Sequence, residues 1–228
     1  MSLAGHSRSA LAADRLQEQV VLCGVDATEG ARSVVAAART TAERAGAPLL
    51  LAHVVGSLWE ADVPAFREEP EDARAVAYGP AGRQLLALAD RRGAGLIVLG
   101  TRGLGRIERL WRGSVSRYVA RRAQCPVMIV GPRADPRAPA TGAHVACAGD
   151  DAAVLADAAL LARRLGAELV IVGPPDALRD VDTGGVAVDM RPGGDLAAAA
   201  EGAAAVVVGW RGRALVLDAR VPVVVRHG

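Results

Sequence analysis

The chain predicts an α/β fold, in which two tandem open parallel sheets of five strands are flanked by helices and the second copy is truncated. Three observations carry this expectation. Apolar strand-length runs alternate with alanine-rich helical segments. The hydrophobic fraction is 51% but aromatics make up only 3%. Cores must therefore be built from Ala, Val and Leu, which suits parallel strands under alanine-rich helices better than a β-sandwich. Finally, the order of elements in the first half begins again in the second. A length of 228 residues accommodates two such units.

Residues 1–18 come first. Met1 to Leu16 carries charges and lacks a continuous apolar core, so the segment reads as a frayed tail and not as a leader. The first strand is Val20 to Val25, followed by a helix from Glu29 to Arg44 and a strand from Leu49 to Val55. A proline-containing loop runs to Pro70. A strand from Arg74 to Tyr78, a helix from Pro80 to Arg91 and a strand from Leu96 to Leu99 follow. After a glycine-rich loop come a helix from Val115 to Arg122 and a last strand from Val127 to Val130. Five strands separated by helices imply right-handed crossovers and a parallel sheet. Gly131 to Pro139 breaks every periodicity, and residues 132–142 read as a linker.

The repeat is visible in the letters. Cys147-Ala148-Gly149-Asp150 echoes Cys23-Gly24-Val25-Asp26, and the run Leu165 to Val172 echoes Ala45 to Ala52. Ala204 to Gly212 echoes Gly95 to Gly103, and Val221 to Val225 echoes the strand at Pro126. Between Gly212 and Val221 only Arg213 to Arg220 stands where the first half has Leu104 to Gln124.

That longer segment holds the chemistry. Gly100-Thr101-Arg102-Gly103 follows the strand at Leu99, and nine residues later Gly113-Ser114-Val115-Ser116 opens a helix. Glycine tolerates positive φ and close main-chain approach, and the two clusters offer N–H and hydroxyl donors to phosphate from two directions. The chain contains no lysine, so the P-loop signature is absent, and neither glycine loop completes a Rossmann fingerprint. The second half lacks the Gly-Ser cluster, which leaves Gly209 and Gly212 as half a cradle.

The pattern G-x-x-G, nine residues, then G-S resembles the nucleotide-binding loop of the universal stress protein family, in its ATP-binding branch. Four further landmarks agree over residues 19–131: Asp26 at the end of the first strand, Ala52-His53-Val54-Val55, Gly79-Pro80-Ala81, and Cys125 to Val130. The resemblance implies a Rossmann-like sheet, similar to that of the adenine nucleotide α-hydrolases, with strand order 3-2-1-4-5. It implies ATP as ligand, with Asp26, Val54, Gly100, Arg102, Gly103, Gly113, Ser114, Val115 and Ser116 as nucleotide-binding residues. Residues 19–131 would be the domain with the nucleotide loop and 143–228 a degenerate domain that binds no triphosphate well. In the family the last strands commonly form the contact between subunits. The same contact within one chain would pair the two domains, and a homodimer is a further possibility of the family.

Several residues have a second role open to them. Asp26 can accept from a ribose or adenine edge, or cap the following helix together with Thr28; Asp150 then serves mainly as a cap. Val54 is a strand residue that the resemblance alone raises to an adenine contact. His53 reads as a satisfied, half-buried histidine and not as a base. Arg102, Arg106, Arg109 and Arg112 are solvated arginines on a connector or phosphate partners, and Trp59 and Trp111 are lids or hydrophobic anchors. No metal-ligand cluster is visible, so Mg²⁺ would arrive with the nucleotide, held by phosphates and water.

The remaining composition narrows the class. The formal net charge is +2 and no charge run points to nucleic acid. No apolar run reaches a membrane span. Cys23, Cys125 and Cys147 sit singly in predicted strands, as buried reduced thiols of a cytoplasmic protein. Three functions stay open: a nucleotide-dependent regulatory module, a slow ATPase or other adenine-nucleotide hydrolase, and an empty scaffold acting through oligomerisation. The first is favoured, because no base or γ-phosphate clamp forms a recognisable constellation.

Overall fold

Near-continuous runs of Val, Leu and Ile form strands that are buried on both faces, as parallel strands beneath helices must be. The computed structural model describes residues 19–26, 30–55, 70, 73–101, 114–149, 151–179, 181–212 and 218–226. The first run contains β1 (Val20–Val25), α1 (Ala31–Ala45), β2 (Leu49–Val55), β3 (Arg74–Tyr78), α2 (Ala81–Arg92), β4 (Ala94–Gly100), α3 (Ser114–Ala120) and β5 (Val127–Val130). A short helix, α4 (Ala138–Thr141), precedes the second run. That run contains β6 (His144–Ala148), α5 (Ala152–Leu165), β7 (Glu168–Val172), β8 (Val188–Arg191), α6 (Leu196–Ala199), β9 (Ala203–Gly209) and β10 (Val223–Arg226).

Among the described residues the ten strands form one sheet in the order β3-β2-β1-β4-β5-β10-β9-β6-β7-β8. Each run has the expected order 3-2-1-4-5, and all pairs within a run are parallel. The runs meet at β5 and β10, which pair antiparallel with Ile129 opposite Val223 and Met128 opposite Val224. The two five-stranded sheets are thus one continuous sheet, and the carboxyl ends of the two runs point to opposite ends of it.

Both faces are covered across this join. On one face Cys23, Val34, Ala38 and Met128 share a core with Leu155, Leu165 and Val224. On the other, Leu85, Ile97, Val119 and Ile129 share a core with Val206, Val208 and Val223. Alanines at the contact surfaces, such as the fully buried Ala37, Ala38 and Ala158, let α1 and α5 approach the strands closely. Both helices stop alike, at Gly46 with φ 63° and Gly166 with φ 56°. Each glycine's N–H returns to carbonyls of the last turn, a left-handed cap that suits glycine.

The segment between the runs connects them without being a free spacer. Ala138 and Pro139 of α4 are buried, and Asp135 N–H donates to Arg220 O at 2.7 Å. Arg44, at the end of α1, donates to Pro139 O at 2.9 Å and Gly142 O at 2.8 Å, and also to Leu165 O at the end of α5. A Cβ on Gly142 would lie 2.1 Å from Ala204 N, so only glycine permits this approach to β9.

At the amino ends of β1, β4 and β5 a cavity of about 410 Å³ is lined by Gln19, Asp90, Cys125, Asp157 and Arg226, among others. Arg226 Nη1 lies 3.3 Å from Asp157 Oδ2, close enough to attract but misaligned for a hydrogen bond. Burial pushes the Asp157 carboxyl up to about 6, opposed by Arg226 and assisted by Asp151. Burial likewise pushes the Cys125 thiol up to about 11, with Asp90 and Asp157 adding to it. Cys125 lies just ahead of β5, not within a strand as the sequence reading has it. Cys23 and Cys147 are buried in β1 and β6 and form no disulfide. Arg164 Nη2 donates to Gln19 Oε1 at 2.7 Å, a bond between the two runs. No helix among the described residues is long and apolar enough to cross a membrane.

Candidate nucleotide site

In a 3-2-1-4-5 sheet the chain leaves β1 and β4 toward opposite faces, so a crevice opens between their carboxyl ends. In this chain α1 leaves β1 toward the face that holds Cys23 and Met128, whereas α2 and α3 cover the face that holds Ile97 and Ile129. A cleft lies at that point. Its walls include Asp26 beyond β1, Val54 of β2, Gly100 closing β4, and Val115 and Ser116 in the first turn of α3. Five of the nine residues singled out from the sequence are therefore brought together from four separate segments.

The other four are not among the described lining residues. Arg102, Gly103 and Gly113 are outside the described residues, as are Arg106, Arg109, Arg112, Thr28, Trp59 and Trp111. Ser114 opens α3; its side chain is not among those described. Gly100 is held in the sheet by pairing with Val130, and Thr101 N–H donates to Val130 O at 3.2 Å. Ser116 is 4% exposed and lines the cleft.

Two sequence readings change. At the described start of α1 Gly30 holds the N-cap position with no side-chain cap bond, and Asp26 lines the cleft. In the second run the cap expected at Asp150, outside the described residues, comes from Asp151, whose carboxylate accepts from Ala153 N–H at 2.8 Å. His53 is fully buried at 5% exposure, not half-buried, and its Nδ1 lies 2.9 Å from Val25 O. It also lines the cleft.

The floor was not anticipated. Gly24, Leu85 and Leu99 form it, and a Cβ on Gly24 would come within 2.5 Å of Leu99 Cδ2. The missing side chain lets two leucines pack flat beneath the opening. The signal was available as a glycine two positions before Asp26, facing away from α1. Asp26 is the one carboxylate among the described lining residues. No group of three or more His, Cys, Asp or Glu that could hold a metal occurs among the described residues.

The second run is built differently at the equivalent place. A Cβ on Gly173 would lie 2.8 Å from Gly149 Cα, and one on Gly149 would lie 3.2 Å from Ala177 Cβ. The strand ends of β6 and β7 touch backbone to backbone, and the turn starting at Pro174 brings Ala177 and Leu178 onto the core.

Comparison with known proteins gives a consistent result. A sequence model described as the universal stress protein family matches residues 61–131. A protein from Thermus aquaticus, described as a universal stress protein in the QAH/OAS sulfhydrylase 3′ region, is 30% identical over 134 residues. The match covers 49% of this chain and 98% of that protein. The crystal structure of a universal stress protein from Archaeoglobus fulgidus DSM 4304 is similar with a TM-score of 0.66 at 16% identity, covering 93% of this chain and 98% of that one. A functionally unknown protein from Pseudomonas aeruginosa PAO1 gives a TM-score of 0.61 at 16% identity, covering 94% of each. At those identities the two structures speak for the fold alone.

Proposed function

The chain belongs to the universal stress protein family, and from that premise we propose that it is a nucleotide-dependent stress-response regulatory protein that binds one ATP per chain. The observation that carries the reading is the convergence of Asp26, Val54, Gly100, Val115 and Ser116 on one cleft at the carboxyl ends of β1, β2 and β4. An apolar floor with few, separated polar groups at its edge suits a purine nucleoside. In this reading the base and ribose sit between Asp26 and Val54. The phosphates lie toward Gly100, Gly103, Gly113, Ser114 and Ser116, within reach of Arg102. Mg²⁺ enters with the nucleotide: Asp26 alone cannot make a resident metal site, and Mg²⁺ is commonly held by phosphates and water.

Residues 19–131 form the nucleotide-binding unit and 143–228 a degenerate unit. Two features support one site and not two. Arg213 to Arg220 is too short to carry a second Gly-Ser cluster. The turn starting at Pro174 places Ala177 against Gly149, the counterpart of the cleft-lining Val25.

Titration calorimetry of the full chain with MgATP tests this, with an expected stoichiometry of one. Gly113→Val, which places a branched side chain where phosphate must approach the main chain, is expected to abolish binding. Two equivalent sites, or an unchanged affinity in the variant, would overturn the reading.

A further inference from the structure

We propose that His53 is a positioning residue that fixes the backbone leading into Asp26 and so sets Asp26 toward the ligand; this rests on the nucleotide reading above. The last registered pair of β1 and β2 is Val25 with His53. Across it, His53 Nδ1 lies 2.9 Å from Val25 O. A carbonyl only accepts, so Nδ1 carries a proton and donates it. That carbonyl belongs to the peptide leading into Asp26, and Val54 follows His53 directly. One buried side chain therefore ties together the backbone beneath both walls of the cleft.

The second run supplies the comparison within the same molecule. Its register, Cys147 with Ile171 and Ala148 with Val172, matches Cys23 with Leu51 and Gly24 with Ala52. One step further on, the partners of Val25 and His53 are Gly149 and Gly173. There neither residue has a side chain that could tie one strand to the other. The run with the cleft carries the histidine tie, and the other run carries two glycines in its place. A buried imidazole anchored to a carbonyl restrains the backbone that leads into Asp26 through both its volume and its hydrogen bond.

The test is a double-mutant cycle on MgATP affinity, measured by calorimetry with thermal melting of each variant beside it. His53→Leu keeps bulk but cannot donate, and ATP affinity is expected to fall about tenfold, the order of one lost buried hydrogen bond. His53→Asn carries an amide donor close to the Nδ1 position and is expected to restore most of that loss. Because His53 acts through Asp26, Asp26→Ala is expected to weaken binding in the wild-type background and much less in His53→Leu. A strictly additive cycle, or His53→Leu binding ATP as the wild type does, would overturn the positioning role while leaving the site intact. A folded wild-type chain that binds no ATP would overturn the nucleotide reading itself, and the positioning role with it.

Discussion

Asp157 shows how a single buried carboxylate makes stability depend on pH. Its side chain is 12% exposed and its partner Arg226 30%, and burial outweighs the attraction between them, so the carboxyl titrates near 6 instead of its ordinary 3.8. A carboxyl raised by folding favours the folded state when protonated. Its contribution is complete below 3.8 and is lost as pH rises through 6. Asp157→Asn is therefore expected to raise stability by about 2 kcal/mol at pH 7.5 and to remove this slope between pH 4 and 7. Melting temperatures of both proteins across that range check it. The pair could not be read from the sequence, because Asp157 lies on α5 and Arg226 on β10, and only the fold makes them neighbours. The same holds for His53, whose place in an apolar strand was legible while its bond to Val25 O was not. Asp26 was legible as a residue at a strand's carboxyl end near the switch point, and Gly100 and Ser116 through the glycine and hydroxyl clusters that resemble the family's loop.

Among the elements, the segment from Gly131 to Gly142 departs furthest from its sequence. Proline and glycine read as breakers and hide the fact that Ala138 and Pro139 are buried. Arg44 is the reason the segment stays put, since its guanidinium satisfies carbonyls of α4, of Gly142 and of the end of α5 at once. Arg44→Met is expected to cost about 2–3 kcal/mol, the range for losing charge-assisted bonds to buried carbonyls. Chemical denaturation should show this, together with faster amide exchange at residues 140–142. Strands β1, β2, β4 and β5 were legible as continuous apolar runs, whereas β8 was not. Val-Asp-Met-Arg at the sheet edge is half polar and four residues long, a pattern that pairing with β7 stabilises and that local preference does not announce. On the opposite edge, β3 exposes Val76 and Tyr78, and its bounds match the strand expected from Arg74 to Tyr78.

At the scale of the molecule, the two runs share both cores and one ladder, so neither can lose its packing without exposing the other. The expected outcome is a single cooperative unfolding transition, coincident by circular dichroism and by tryptophan fluorescence. Arg121 packs over Trp210 at 5.6 Å, and Arg164 bonds Gln19 across the join. Two resolved transitions would show the runs to be independent.

The antiparallel join also has a consequence in time. Parallel neighbours β4 and β5 are complete once Val130 has left the ribosome, but β10, which covers the far side of β5, is not made until residues 131–222 have followed. At about 5–20 residues per second the wait is on the order of ten seconds. Throughout it Val127-Met128-Ile129-Val130, buried in the finished protein, is an unpaired apolar edge on a nascent chain. The feature that makes the mature sheet continuous therefore makes its synthesis the most vulnerable period in the life of the protein, and two ribosomes on one message would bring two such edges together.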